Sequence, residues 1–116
     1  MDLEQIIRHD FRVPVSDTDD ISIKVDGREY EMINLSNKGI GIRFNPLTLF
    51  KVGDVVRDIE LMIAGQRLLF EGKVVHVSRL GQDYLGGIDL LDMDEKNAGI
   101  LVACVNGIRT RLFQEK

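Results

Sequence analysis

Hydrophobic and polar residues alternate over most of the first ninety positions of the chain. In Ile21–Val25 and in Gly39–Phe44, every second side chain is a large apolar one. A period of two places apolar side chains on one face of a β-strand and polar ones on the other. Glycine and Asx residues interrupt these runs at short intervals, and Asp26-Gly27 is a strong signal for a two-residue hairpin. The pattern predicts a small antiparallel barrel or sandwich.

Seven runs fit this strand pattern. They cover residues 13–15, 21–25, 28–35, 39–44, 55–63, 68–78 and 84–90. Residues 64–67 should form the connection between the two longest runs, and Pro14 should confine the first run to an edge or to its own start.

The pattern changes after residue 91, where apolar residues recur at helical spacing. Leu101, Val105, Ile108 and Leu112 follow one another in steps of three or four, and acidic residues precede them. This predicts a C-terminal helix over about residues 93–113. Asn106-Gly107 is a competing hairpin signal within it. We favour a helix with a weak point there.

Composition fits one globular domain. The chain has 116 residues, 44% of them hydrophobic and 29% charged. Its single cysteine, Cys104, lies in an apolar run and should be a buried thiol in a reducing compartment. The acidic N-terminus lacks the features of a signal peptide, and no apolar run is long enough to span a bilayer. We therefore expect a cytoplasmic protein that does not insert into membranes.

Neither catalysis nor metal binding is indicated. The loops beginning at Asp17 and Asp92 resemble calcium loops but lack the required glycine and glutamate. His76 lies in the middle of a predicted strand, where a structural role is the simpler interpretation. No nucleophile–base set stands out, so we expect no catalytic residue and no metal site. A net charge of −4 also argues against nucleic-acid binding, although it leaves room for a local basic pocket.

Two short motifs could hold an anion. Arg8 and Arg12 are four residues apart, so their side chains point to one side in either a strand or a helix. Arginine binds phosphate oxygens or the guanine edge with two parallel hydrogen bonds, and its flat face stacks on bases. The turn Asn34-Leu35-Ser36-Asn37-Lys38-Gly39 adds hydrogen-bonding side chains, a lysine, and a glycine that permits a positive φ or a close approach of backbone.

Together these motifs resemble the paired signature of the PilZ family. The signature is Arg-x-x-x-Arg before the first strand, followed some twenty residues later by Asp/Asn-x-Ser-x-x-Gly. It falls here on Arg8 with Arg12, and on Asn34 with Ser36 and Gly39. Residues 71–75 and 86–90 are similar to later barrel strands of that family. The resemblance implies a bacterial, mainly β protein, with a six- to seven-stranded antiparallel PilZ-type barrel and a C-terminal α-helix.

The same resemblance implies a receptor for cyclic di-GMP. Arg8 and Arg12 would hold phosphates and guanine edges, Asn34 and Ser36 would bond a guanine and a nearby phosphate, and Gly39 would let the turn close beside the ligand. Residues 1–13 would form a ligand-binding arm and residues 13–116 a single barrel domain. Many family members carry a further arginine directly before the first motif arginine. Ile7 stands there in this chain, so we expect one bound nucleotide rather than two.

The resemblance also outlines how such a receptor would act. A stand-alone receptor, monomeric or weakly dimeric and needing no cofactor, would change conformation on binding. It would then signal to an unidentified downstream protein controlling motility, exopolysaccharide or pili. Candidate partner surfaces are the acidic loop 17–20 and the basic pair Arg109 and Arg111. The alternative is a PilZ-like scaffold that has lost nucleotide binding and acts through protein contacts.

Overall fold

The computed structural model describes residues 12–16, 19–46 and 50–114. Seven strands and one helix lie within these ranges, and we number them in chain order. The strands are β1 (Val13–Pro14), β2 (Ile21–Val25), β3 (Arg28–Leu35), β4 (Gly39–Phe44), β5 (Val55–Ile63), β6 (Gln66–Leu80) and β7 (Asp83–Leu91), and the helix is α1 (Glu95–Gln114).

Six of the strands close into an antiparallel barrel. Their order is β3-β2-β5-β6-β7-β4, and pairing of β4 with β3 closes the ring. The short strand β1 lies outside the ring and extends the sheet beside β3, where Val13 pairs with Leu35. The predicted mainly β fold, with an antiparallel barrel and a C-terminal helix, is confirmed.

The alternating residues of the strands fill the barrel. Ile40, Ile42, Ile59 and Leu61 are fully buried. Glu60, between the last two, is only partly covered, and Gly41, between the first two, is buried but has no side chain. Full burial of each such side chain contributes roughly 1.5–3 kcal/mol. A period of two therefore decides which face of each strand becomes the core, as the sequence pattern predicts.

The helix contributes its own apolar stripe to this core. Leu101, Val105 and Ile108 are buried, and α1 contacts β1. Leu112 continues the same spacing but is 44% exposed, so the predicted stripe ends one turn early. Cys104 is half-buried against the core, and this burial raises the pKa of its thiol. No helix in the described parts of the chain is long and apolar enough to cross a membrane.

Two of the connections between strands are tight turns with left-handed backbone. Asp26-Gly27 has φ values of 52° and 81°, and Ala64-Gly65 has values of 51° and 79°. Two residues with positive φ match the right-handed twist of the flanking strands. The hairpin predicted at Asp26-Gly27 is confirmed. The four-residue connection predicted over 64–67 is too long, because β6 already begins at Gln66.

The helix runs without a break through Asn106-Gly107. Both residues are exposed, while Val105 and Ile108 on either side are buried in the core. Burial of these two side chains outweighs the weak helix propensity of the Asn-Gly pair, which costs roughly 1 kcal/mol for the glycine. The competing hairpin signal is therefore overridden by tertiary packing.

Alanine at the two helix glycines should stabilise the protein. A Cβ atom added to Gly99 or Gly107 would meet no atom within 4 Å, and neither glycine has a positive φ. Gly99→Ala with Gly107→Ala should raise the free energy of unfolding by about 1–2 kcal/mol in urea titrations, because alanine has the higher helix propensity. Gly27→Ala, at a φ of 81°, serves as the control and should be destabilising. A loss of stability in the helix double variant would mean that α1 is broken there.

Candidate functional site

The predicted turn forms the connection between β3 and β4 at one rim of the barrel. Strand β3 ends at Leu35 and β4 begins at Gly39, so the loop itself consists of residues 36–38. The Ser36 hydroxyl accepts hydrogen bonds from the backbone N–H of Gly39 at 3.0 Å and of Lys38 at 3.3 Å. It also donates to the Gly39 carbonyl. Ser36 is buried and its hydroxyl holds the loop closed in this structure.

Strand β1 brings the two sequence motifs together. Pro14 of β1 pairs with Asn34 of β3, which places Arg12, two residues earlier, beside the end of β3. The Arg12 side chain then donates a hydrogen bond from Nη1 to Asn34 Oδ1 at 3.0 Å. Arg8, the other predicted arginine, lies outside the described residues.

A bulge in β3 turns Asn34 toward Arg12. The register of β3 against β4 shifts between Met32, which pairs with Ile42, and Asn34, which pairs with Gly41. Ile33 is the extra residue, and its carbonyl accepts a hydrogen bond from Val15 N–H. Since a bulge changes the direction in which the following side chain points, Asn34 lies on the outer face of the barrel.

Gly41 is a further residue of the candidate site, and the two sequence motifs do not include it. A Cβ atom at this position would collide with the Asn34 side chain, approaching its Nδ2 to 2.9 Å. Glycine therefore allows the Asn34 amide to lie against the backbone of β4. The alternation in Gly39–Phe44, with glycine at two of its outward positions, was the available signal.

Gly39 is required for the close approach of backbone and not for a positive φ. Its φ is not in the left-handed region, so the positive φ that a glycine permits is not adopted here. The expected close approach is present, because a Cβ atom at Gly39 would lie 2.7 Å from the carbonyl oxygen of Ile88. The Lys38 carbonyl accepts a hydrogen bond from Leu90 N–H, and this bond fixes the loop against β7.

The rim therefore offers hydrogen-bond donors and positive charge. Arg12 and Lys38 are both exposed. The partner of Arg12 is a neutral amide rather than a carboxylate, so its guanidinium charge is not neutralised by that contact. Such a cation and amide, held beside a short loop, suit a phosphate or the edge of a base.

The proposed partner surfaces at loop 17–20 and at the helix end are joined to each other. Arg111 of α1 forms an ion pair with Asp19, whose side chain is 3% exposed and also accepts a hydrogen bond from Ser16 N–H. This pair ties the helix to the loop between β1 and β2. Asp19 and Arg111 therefore belong to one paired cluster and not to two separate charged surfaces. Asp17 lies outside the described residues.

Metal binding finds no support in the described ranges. No group of three His, Cys, Asp or Glu side chains there could hold a metal ion. Asp19 and Asp92 do not belong to such a group.

The model for the PilZ domain family matches residues 6–107. The chain belongs to the PilZ family. This match covers most of its 116 residues, including both motifs and the whole barrel. No curated protein matches the chain.

Solved structures of PilZ proteins share the fold. The PilZ domain of YcgR from Escherichia coli, solved with c-di-GMP, has a TM-score of 0.68 at 15% identity, and the match covers 90% of this chain and 93% of that one. MrkH of K. pneumonia in complex with c-di-GMP has a TM-score of 0.76 at 11% identity, with 90% and 53% covered. The Bacillus subtilis inhibitor of motility MotI/DgrA has a TM-score of 0.67 at 13% identity, with 90% and 51% covered. This PilZ chain thus spans about half the length of MrkH and MotI.

Proposed function

We propose that this PilZ protein is a receptor for cyclic di-GMP. The observation that carries the proposal is the hydrogen bond between Arg12 and Asn34, which joins the arginine motif to the Asn-x-Ser-x-x-Gly motif at one rim. Two motifs that are separate in sequence then form one surface. Family membership and the c-di-GMP complexes of YcgR and MrkH support the choice of ligand.

Each motif residue has a role that its chemistry suits. Arg8 and Arg12 contact the phosphates and the guanine edges, because the guanidinium fork matches both and its face stacks on a base. Asn34 offers an amide donor and acceptor to a guanine. Ser36 and Gly39 act mainly by holding the loop in shape, and Ser36 can exchange one of its internal hydrogen bonds for a ligand oxygen.

The receptor passes its signal on through a change of surface. Ligand held by Arg8 and Arg12 ties residues 1–13 to the barrel rim and creates a composite surface for a downstream protein in the cytoplasm. A ligand shifts such an equilibrium only through its greater affinity for the closed arrangement. The molecule acts without catalysis or cofactor, as a monomer or weak dimer, in control of motility, exopolysaccharide or pili.

Calorimetric titration tests the proposal directly. The protein should bind cyclic di-GMP with a saturable heat signal and should give no comparable signal with GTP at the same concentration. The cyclic dinucleotide alone presents two guanines and two bridging phosphates to the paired arginines. Absence of a signal with both nucleotides would favour the alternative, a PilZ scaffold that acts through protein contacts only.

The same titration predicts one ligand per chain. A second, intercalated nucleotide needs an additional stacking cation beside Arg8, and Ile7 supplies none. We expect a stoichiometry near one, checked with protein concentration measured independently. Ile7→Arg provides the matched variant and should move the stoichiometry toward two. Two ligands bound to the unaltered chain would contradict this prediction.

A further inference from the structure

Asp89 of β7 carries an exposed carboxylate beside the motif glycine Gly39. The two residues are paired in neighbouring strands, and directly paired residues project to the same face of a sheet. A Cβ atom built on Gly39 would lie 3.4 Å from Asp89 Oδ1. A ligand that approaches Gly39 from outside the barrel therefore also meets this carboxylate.

The Asp89 carboxylate has no partner within residues 12–16, 19–46 and 50–114. Its other cross-strand neighbour is Lys73 of β6, but no ion pair joins the two side chains. No hydrogen bond from another residue of these ranges reaches the carboxylate either. Asp19, by contrast, is buried and engaged by Arg111. Both oxygens of Asp89 are therefore available to a ligand.

The Asn34 amide cannot supply the same pair of acceptor atoms. It has a single oxygen, which already accepts a hydrogen bond from Arg12 Nη1, and its nitrogen is a donor. The Asn34 and Asp89 side chains lie against Gly41 and Gly39, which are two residues apart on β4. This places the two polar groups roughly 7 Å apart along the outer face of the strand. One purine base lying between them can reach both.

We propose that Asp89 selects guanine over adenine by accepting two parallel hydrogen bonds, from N1–H and from the 2-amino group of a base that lies over Gly39. This inference rests on the function proposed above. A carboxylate has the two acceptor atoms that these adjacent N–H groups require. Adenine presents a nitrogen lone pair and a C–H group at the same two positions, so the Asp89 carboxylate repels it.

The negative charge of Asp89 makes its effect depend on the base. Arg12 and Lys38 attract any phosphate, because both are exposed cations at the rim. A carboxylate beside them repels phosphate and gains energy only from a ligand edge rich in donors. Asp89 therefore trades general affinity for anions against discrimination between bases. If it were only a neighbour of the ligand, its removal would strengthen binding.

Neutralising Asp89 tests this role by the sign of the effect. Asp89→Asn should weaken the binding of cyclic di-GMP in calorimetric titrations by about ten- to a hundredfold, the usual loss for hydrogen bonds to a charged group. The preference over cyclic di-AMP should narrow. Circular dichroism should show an unchanged fold, because the side chain is exposed. Equal or tighter binding of cyclic di-GMP by this variant would overturn the proposal.

Asp58→Asn is the matched control for the change of charge. Asp58 is exposed and lies on β5, a strand that pairs with β2 and β6 and not with β4 or β7. The control removes the same negative charge at a distance from the rim. It should bind cyclic di-GMP at least as well as the unaltered chain. A loss equal to that of Asp89→Asn would contradict a local contact of Asp89.

Cyclic di-IMP gives a second test, because its base differs from guanine only in lacking the 2-amino group. The unaltered chain should bind it about tenfold more weakly than cyclic di-GMP, whereas Asp89→Ala should bind both ligands with equal affinity. An unchanged affinity ratio in Asp89→Ala, while the unaltered chain binds cyclic di-GMP, would overturn the role of Asp89 and leave the proposed function standing. An unaltered chain that does not bind cyclic di-GMP would instead reject the proposed function, and this inference with it.

Discussion

Replacing Arg8 and Arg12 together with alanine should weaken the binding of cyclic di-GMP by about a hundredfold or more. Each paired hydrogen-bond contact of an arginine with guanine contributes roughly 1–3 kcal/mol, so two of them account for about 30-fold to ten-thousandfold in affinity, a range that includes the expected loss. Arg12 is exposed and bonded to a neutral amide, so little of this loss should come from the fold. Calorimetry measures the affinity, and circular dichroism with thermal unfolding checks that the barrel remains.

The matched control for this change is Arg28→Ala with Arg57→Ala. Both arginines are exposed and lie on other parts of the barrel surface, so the control removes the same charge. It separates the loss of local contacts from a general electrostatic effect. Any variant that loses two positive charges repels an anionic ligand more strongly, and salt would screen that repulsion. Equal losses in the two double variants would contradict a specific arginine site. Undiminished binding in the variant that lacks Arg8 and Arg12 would show that these arginines do not bind the ligand.

Valine at Gly39 should damage both the rim and ligand binding. Its Cβ atom would lie 2.7 Å from the Ile88 carbonyl oxygen, which belongs to the backbone of a paired strand and has little freedom to move. We expect the free energy of unfolding to fall by about 1–3 kcal/mol, the usual cost of overpacking. The affinity for cyclic di-GMP should fall about a hundredfold, because the loop that Ser36 closes would open and displace Asn34.

Gly99→Ala is the control for the glycine substitution. Its side chain points into open space on α1, so it should leave affinity unchanged and stability equal or higher. Urea unfolding and calorimetry on the same protein preparations give both quantities. Normal affinity in Gly39→Val would show that closure of residues 36–38 against β7 is unnecessary for binding.

The local periodicity of the chain was sufficient to predict the barrel. Alternation in Ile21–Val25 and Gly39–Phe44 identifies the buried face because burial of every second side chain is what stabilises a barrel strand. Asp26-Gly27 predicted its hairpin because few other residue pairs accept two positive φ values. The remaining differences between prediction and structure lie at the ends of elements. Strand β6 begins earlier, at Gln66, and the buried stripe of α1 ends before Leu112, which is exposed.

The site was harder to predict because its geometry depends on strand register. Asn34 and Arg12 are in the motifs, but their contact requires the pairing of β1 with β3 and the bulge at Ile33. A bulge arises from the fit of two strands that are distant in sequence, so no local pattern signals it.

The ion pair of Asp19 with Arg111 shows the same limit. The two residues are 92 positions apart in sequence, and the sequence placed each of them in a separate candidate partner surface. In the folded chain Asp19 is buried, and Arg111 partly compensates the cost of removing its charge from water. The pair links α1 to the loop that follows β1. Long-range contacts of this kind follow from the closed barrel and not from charge patterning.

The most direct test of the account is a calorimetric titration of the unaltered chain with cyclic di-GMP, run beside GTP. A receptor built on Arg8, Arg12 and the loop after Asn34 should give saturable binding of the cyclic dinucleotide, at one ligand per chain and with no matching signal from GTP. No binding of cyclic di-GMP, or equal binding of both nucleotides, would contradict the central claim.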